Sequence, residues 1–381
     1  MMNAIRLRRR SPPSIARQGR NIAQAHPYVA AAAATAGVLA ISAFVNRKLA
    51  RNAENDNPPA GQFLDVNGVR LHYVERGSGA PLVLLHGNGS MIQDFESSGL
   101  IDLAAQDYRV IVFDRPGFGH SERPRNVVWT PAAQAELINS ALHQLDVSHA
   151  IVLGHSWGAS VAVALALKYP RMVQGLVLAS GYYYPTLRPD VVALSAPAVP
   201  LAGDVLGHTL SPLVSRLMWP LLMAKIFGPR PVPKKFDGFP KEMALRPSQI
   251  RASAAESALM IPDAFYFRDE YANLKMPVVI VAGDEDRPTT NPIGQCAHDG
   301  KPDEVRYSDA NRHDQAVGCG QLEDRLSESR RVNRYEVERH GSHDHHHHSR
   351  EHDGPVCQNG PVNFAGGRMM FASEKLVGFL Q

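Results

Sequence analysis

The stretch Ala150-Ile-Val-Leu-Gly-His-Ser-Trp-Gly-Ala159 decides how the rest of the chain is interpreted. The apolar run Ile151 to Leu153 predicts a buried strand, and the Ala-, Val- and Leu-rich segment from Ala159 to Tyr169 predicts a helix. Between them, Gly154 to Gly158 form a G-x-S-x-G pentapeptide, which is typical of a sharp strand-to-helix turn. Glycines lack a Cβ and let the strand and the helix approach closely. Such a turn lifts the Ser156 hydroxyl clear of the sheet, beside the free N–H groups of a helix N-terminus.

Further segments repeat the pattern of an apolar strand followed by a glycine-rich or acidic turn. They are Pro81-Leu-Val-Leu-Leu-His-Gly-Asn-Gly89, the strand Arg109 to Phe113 with the turn Asp114-Arg-Pro-Gly-Phe-Gly-His-Ser121, and Met276-Pro-Val-Val-Ile-Val-Ala-Gly-Asp-Glu-Asp-Arg287. With the pentapeptide, they make residues from about 61 to 287 resemble the α/β-hydrolase fold family. We therefore expect an α/β fold with a mostly parallel central sheet flanked by helices. We expect Asp114 to order its turn by accepting backbone hydrogen bonds.

The resemblance implies a role for individual residues of this sequence. Ser156 is the expected nucleophile, and the backbone N–H groups of Asn88 and Trp157 are the expected oxyanion hole. The acid that orients the catalytic histidine is expected in the segment Gly283 to Asp286. We predict Asp286 for this role, with Asp284 as the alternative.

The catalytic histidine is the point at which the sequence departs from the family. Family members usually carry it in a glycine-rich turn after one more strand, and no such motif follows Asp286. Glu304 to Tyr307 predicts a short strand, and His313 follows it, so His313 is our prediction for the base. Its immediate neighbours include no glycine, and the histidines between His340 and His352 remain alternatives.

The composition changes abruptly after Thr290. All three cysteines and nine of the 17 histidines lie beyond this residue. A reading-frame error or a fusion near residues 287–291 would explain the change, and so would a naturally divergent tail. The cysteines show no metal-ligand spacing. From the polar, His-rich composition we expect a disordered tail over residues 321–381. The sequence predicts no cofactor and no metal.

The N-terminal segment, residues 1–60, differs in charge from the rest of the chain. Residues 1–51 contain nine Arg or Lys and no Asp or Glu. The uncharged apolar stretch 28–45 is long enough to be a transmembrane helix, and a polar linker is expected after it. A cleaved export signal and a soluble or surface-lying helix are the alternatives. Six basic residues before the stretch and three after it favour a membrane-anchored chain with its catalytic domain on the periplasmic or extracytoplasmic side.

Five segments are expected along the chain. After the N-terminal segment come the first part of the hydrolase core, a helical cap, the second part of the core and the tail, at residues 61–181, 182–267, 268–320 and 321–381. The cap is expected because its prolines and apolar helical pieces interrupt the strand–helix alternation after the strand Val173 to Ser180. Apolar side chains of the cap, such as Tyr182, Trp219 and Met223, favour a hydrophobic, uncharged substrate.

These expectations together predict a serine hydrolase that cleaves a small apolar carboxylic ester through an acyl-enzyme. Serine at the turn argues against dehalogenases and epoxide hydrolases, which resemble this architecture but use aspartate. A carbon–carbon bond hydrolase, an amidase and a cofactor-free haloperoxidase remain alternatives within the fold. A membrane-tethered binding protein with an impaired triad is the alternative from another class. No nucleic-acid partner is expected, because no basic stripe lies outside the N-terminal segment.

Overall fold

The apolar runs of the sequence pair into one central sheet. The computed structural model describes residues 27–281 and three short strands at residues 306–308, 362–364 and 367–369. The sheet has eight strands in the order β1-β2-β4-β3-β5-β6-β7-β8. They are β1 Gln62–Val66, β2 Val69–Arg76, β3 Ala80–Leu85, β4 Tyr108–Phe113, β5 Ala150–His155, β6 Val173–Ala179, β7 Val278–Val281 and β8 Arg306–Ser308. Strands β9 Val362–Phe364 and β10 Gly367–Met369 form a separate antiparallel pair.

The strands from β3 to β7 run parallel to one another, and β1, β2 and β8 are antiparallel to their neighbours. The hairpin between β1 and β2 turns at Asn67 and Gly68, both at positive φ, as the Asn-Gly pair predicts. The mostly parallel sheet that the sequence predicts is confirmed.

Helices cover both faces of this sheet. Side chains of β3 alternate between two core clusters: Leu82 and Leu84 pack on one face, and Val83 and Leu85 on the other, as the two-residue period of a strand requires. The helices outside the cap are α1 Pro27–Asp56, α2 Ile92–Ser98, α3 Leu100–Ala104, α4 Pro131–Gln144 and α5 Trp157–Lys168. Thr130 followed by Pro131 predicts a helix N-terminus, and α4 begins there, with the Thr130 side chain accepting the Ala133 N–H.

Between β6 and β7 the chain leaves the sheet and forms a run of helices, at the place where the sequence predicts a helical cap. They are α6 Pro189–Leu194, α7 Ala202–His208, α8 Ser211–Phe227, α9 Lys241–Ala244 and α10 Pro247–Phe267, with 3₁₀ turns at Ala196–Ala198, Lys234–Gly238 and Tyr271–Asn273. Two of the apolar side chains named for the cap pack within it: Met223 is buried, and Trp219 stacks on Phe239.

Helix α1 is longer than the sequence predicts. The apolar stretch 28–45 is helical, and the helix continues through residues that we assigned to a polar linker, ending at Asp56. The reason is packing against the cap: Ala53 is buried in a cluster with Phe239 and Met243. Glu54 also pairs with the mostly buried Arg246 at 2.7 Å. Helix α1 is long and apolar enough to cross a membrane. A signal sequence near the N-terminus can have the same length and apolar composition.

Candidate active site

Ser156 lies on the turn between β5 and α5, with backbone angles φ 52° and ψ −118°. A non-glycine residue at positive φ is strained, so neighbouring contacts must hold it there. The Ser156 N–H donates to Ala179 O at 2.8 Å, and the Ser156 carbonyl accepts the Ala159 N–H at 3.0 Å. The turn is therefore fixed both to the neighbouring strand and to the helix that follows.

The two glycines of the pentapeptide are required by close backbone approaches. A Cβ on Gly158 would lie 2.1 Å from Leu85 O, and a Cβ on Gly154 would lie 2.3 Å from Gly158 O. These distances are far inside van der Waals contact. The helix therefore starts directly against the end of β3, which brings the loop after β3 beside Ser156.

That loop, His86 to Gly89, is the expected oxyanion loop, and its position fits the expectation. A Cβ on Gly87 would lie 3.1 Å from the Ser156 Cβ, so the backbone of this loop touches the candidate nucleophile. Trp157 is the first residue of α5, and the first N–H groups of a helix have no partner within the helix. The structure thus places Ser156, Asn88 and Trp157 in one small region.

A buried arginine, Arg115, orients the oxyanion loop. Its Nε donates to His86 O at 2.8 Å, and its Nη2 donates to Gly87 O at 2.9 Å. The Gly87 carbonyl and the Asn88 N–H belong to one planar trans peptide and point in opposite directions. By holding the Gly87 carbonyl, Arg115 therefore orients the Asn88 N–H away from the guanidinium group.

His86 supports the same peptide from the other side. Its Nε2 accepts the Arg115 backbone N–H at 2.9 Å, so the ring proton sits on Nδ1 and is donated to Gly87 O at 2.8 Å. Burial, together with the charge of Arg115, lowers the pKa of His86 to about 3. His86 is therefore a neutral, structural histidine at neutral pH.

The charge of Arg115 is balanced by Glu256 on α10. Both side chains are fully buried, Arg115 Nη1 donates to Glu256 Oε1, and Nη2 lies 3.0 Å from Glu256 Oε2. Gln134 also donates to Glu256, at 2.9 Å. The desolvation cost of a buried ion pair is offset only when the remaining donors and acceptors of both partners are also hydrogen-bonded. The network joins the cap, through α10, to the oxyanion loop.

The Asn88 side chain makes a second link to α10. Its Nδ2 donates to Ser253 O and to Ser257 Oγ, both at 3.1 Å. Among the described residues, its Oδ1 has no hydrogen-bond partner although it is buried. The amide nitrogen of Asn88 is therefore engaged by the cap helix.

Asp114 has the structural role that the sequence predicts. Its carboxylate accepts the backbone N–H groups of Ile92 and His120 at 2.9 and 3.0 Å and lies 2.7 Å from His72 Nδ1. Burial alone would raise the pKa of Asp114, but interactions with His72, His86 and the Ile92 N–H together outweigh it, and the net shift of the pKa is downward. The residue is an ionised anchor for its loop.

The predicted acid and base, Asp286 and His313, lie outside the described residues, as does the alternative Asp284. Ser308, the last residue of β8, pairs with Val278 at the start of β7. Strand β8 therefore ends at the N-terminal end of the parallel strands, whereas Ser156 follows the C-terminal end of β5. Among the described residues, no cluster of three His, Cys, Asp or Glu side chains is arranged to hold a metal.

Arg115 and Glu256 were not among the residues predicted from the sequence. Arg115 lies inside the quoted turn after β4, but its partner is 141 residues away, and no spacing rule connects them. The only available signal was a glutamate in an alanine-rich stretch of α10, Ala252 to Ala258, where a charged side chain on a buried face requires a partner.

The fold and the Ser156 turn define a hydrolase-type α/β protein, and comparison with known proteins identifies the family. The family model for the alpha/beta hydrolase fold matches residues 80–318, which is more than half of the chain. The protein therefore belongs to the α/β-hydrolase fold family.

Individual relatives are similar over only part of their length. A 2-hydroxymuconate semialdehyde hydrolase of Pseudomonas sp. (strain CF600) is 32% identical over 33% of this chain and 45% of its own length. Haloalkane dehalogenase 2 of Mycobacterium bovis is 29% identical over 36% of this chain and 47% of its own. The chain thus spans less than half the length of these curated relatives.

Solved structures are also similar to part of this chain. A meta-cleavage product hydrolase from Pseudomonas fluorescens IP01 is 20% identical, with a TM-score of 0.46, over 64% of this chain and 86% of its own. The epoxide hydrolase CorEH is 23% identical, with a TM-score of 0.48, over 58% of this chain and 83% of its own.

Proposed function

We propose that the chain is a serine hydrolase that cleaves an apolar carboxylic ester through an acyl-enzyme intermediate. The observation that carries the proposal is the juxtaposition of Ser156, strained at positive φ, with the backbone of Gly87. A nucleophile on such a turn, next to a loop whose peptide is held in one orientation, is the arrangement that acyl transfer requires.

In the proposed reaction, Ser156 Oγ attacks the ester carbonyl carbon while the predicted base, His313, takes its proton. The N–H groups of Asn88 and Trp157 stabilise the oxyanion, and each such donor typically lowers the barrier by about 3 kcal/mol. The alcohol leaves with the proton. Water then attacks the acyl group, releases a carboxylic acid and restores the Ser156 hydroxyl, with Asp286 orienting the base throughout.

A carbon–carbon bond hydrolase is the second candidate. The similarity to a 2-hydroxymuconate semialdehyde hydrolase, 32% identical over the matched region, favours it. Both reactions use a serine nucleophile, so the site described here does not choose between them. Hydrolysis of 4-nitrophenyl butyrate without turnover of 2-hydroxymuconate semialdehyde supports the ester hydrolase, and the reverse supports this second candidate.

We also propose that α1 anchors the chain in a membrane with the catalytic domain on the outer side. The apolar part of α1 is exposed, and its last turns are tied to the cap, since Ser42 Oγ donates to Thr209 O at 2.8 Å. Signal cleavage near Ser42 would break this contact. Mass spectrometry of the purified protein tests the anchor: an intact N-terminus supports it, and a start near residue 43 contradicts it.

The first experiment is labelling with a fluorophosphonate, a probe that reacts with a serine activated by a nearby base. We expect the wild type to be labelled and Ser156→Ala and His313→Ala to be unlabelled. Labelling lost only in Ser156→Ala would assign the base to another histidine of the tail. An unlabelled wild type would contradict the hydrolase and favour a binding protein with an impaired triad.

A further inference from the structure

Helix α8 of the cap presents an apolar face to solvent. Leu217 and Leu221, one turn apart, are 79% and 64% exposed. The exposed apolar residues follow helical spacing, and we call them the α8 apolar face: Leu213, Val214, Leu217, Met218, Leu221, Leu222 and Ile226. Seven neighbouring apolar side chains on one helix exceed the scattered apolar exposure of an ordinary surface.

The opposite side of α8 is the one that packs on the protein. Pro212 and Met223 are buried there. Arg216 donates to Glu242 at 2.9 Å and to Asn46 of α1 at 3.0 Å. The orientation of the helix is therefore fixed by its buried side, and the side chains of the α8 apolar face remain 43–79% exposed.

The apolar part of α1 reaches the cap at the start of α8. Asn46 is fully buried, and its Nδ2 donates to Thr209 O at 2.8 Å and to His208 O at 3.0 Å. Leu210, directly after this contact, is exposed and leads into α8. The apolar part of α1 therefore ends beside the residues that lead into α8.

The geometry of α1 sets the depth of this junction in a membrane. Residues 28–45 as a helix span about 27 Å, which is close to the roughly 30 Å hydrocarbon core of a bilayer. Ser42, which contacts Thr209, lies three residues before the end of that stretch, about 5 Å inside the core boundary. A cap attached at this depth reaches the level at which interfacial helices bury their apolar faces.

We propose that the α8 apolar face is embedded in the outer boundary of the bilayer that α1 crosses, so that the cap is itself a membrane-docking element. The inference rests on the proposed anchoring by α1. A lipid bilayer is the occupant because α8 begins beside the end of the spanning segment, where Asn46 contacts Thr209. Exposed Arg47, Lys48 and Arg51 follow that segment, at the level of the lipid phosphates. An apolar ester would then reach the cap from the lipid without crossing water.

Depth-dependent quenching tests the proposal on the full chain in phospholipid vesicles. The three native cysteines are replaced by serine, and a fluorophore is attached at Leu217→Cys, Val38→Cys or Lys168→Cys. Lys168 is the matched control: it is exposed and lies at the end of α5 away from Ser156, and its ion pair with Glu136 is exposed as well. Vesicles carry a nitroxide high on the acyl chain.

We expect fluorescence loss at positions 217 and 38 and none at 168. Quenching at 38 without quenching at 217 would overturn the docked cap while leaving the anchor intact. Unquenched labels at both positions would overturn the anchor and the docked cap together. Fluorophosphonate labelling in the same vesicles reports the hydrolase separately, so a failure of catalysis is not mistaken for a failure of docking.

Discussion

The carboxyl group of Asp263 on α10 is mostly buried, and burial disfavours its charged form. Burial, reinforced by the nearby charge of Glu256, raises the pKa of Asp263 to about 7. In the unfolded chain an aspartate has a pKa of about 3.9, so between these values the folded protein holds a proton that the unfolded protein lacks. The stabilising contribution of protonated Asp263 to the free energy of unfolding is fully present below about pH 4 and is lost as the pH rises through 7.

We therefore predict that Asp263→Asn makes the free energy of unfolding less dependent on pH between 5 and 8 than it is in the wild type. Urea unfolding of the full chain in detergent at several pH values measures this. Asp269→Asn is the control, because Asp269 is largely exposed. Parallel pH profiles for wild type and Asp263→Asn would show that Asp263 is ionised throughout.

Individual residues also show what the sequence could and could not predict. The G-x-S-x-G pattern predicted the tight turn, and the clash that a Cβ at Gly158 would make with Leu85 O supplies its physical reason. The neutral state of His86 could not be predicted. It depends on complete burial and on the contact with Arg115, and both arise only when distant segments pack.

At the scale of elements, the cap and the oxyanion loop depend on one another through the pair Arg115–Glu256. Replacing one partner of a buried ion pair leaves the other charge uncompensated and typically costs about 3–5 kcal/mol. We predict that Glu256→Gln lowers the free energy of unfolding by an amount in this range. We also expect slower fluorophosphonate labelling, because Arg115 no longer holds the Gly87 carbonyl firmly.

Glu136→Gln is the matched control for this variant. Glu136 also pairs with a basic residue, Lys168 at 2.8 Å, but both side chains are largely exposed. An exposed pair contributes about 0–1 kcal/mol, so this variant should unfold and label like the wild type. Equal unfolding free energies for the two variants would mean that the buried pair does not couple the cap to the loop.

The elements that the sequence predicted are those with local signals. The hairpin at Asn67-Gly68 and the start of α4 at Thr130 follow from turn and capping chemistry within a few residues. The last turns of α1 were wrongly assigned to a linker, because Ala53 and Glu54 look like solvent-exposed residues until the cap covers them. Burial imposed by a remote element leaves no local pattern.

At the scale of the whole molecule, α1 joins the proposed membrane anchor rigidly to the catalytic domain. Asn46 is the centre of the joint: besides its two bonds to the cap backbone, its Oδ1 accepts a bond from Arg216 at 3.0 Å. A flexible tether would let the domain rotate freely above a membrane. A docked helix instead fixes which face of the cap meets the lipid, so the depth of α8 in the membrane depends on this joint.

We predict that Asn46→Ala loosens the joint. Leaving buried hydrogen-bonding groups without their partner costs about 1–3 kcal/mol, and cleavage by trypsin at Arg47, Lys48 or Arg51 requires α1 to open locally. When opening is fast, the cleavage rate follows the population of the open form, so we expect cleavage about 5-fold faster or more. Asn52→Ala is the control, since Asn52 lies on the same helix but is exposed. If both variants are cut at the wild-type rate, Asn46 does not hold α1 on the cap, and the orientation inferred for the domain loses its basis.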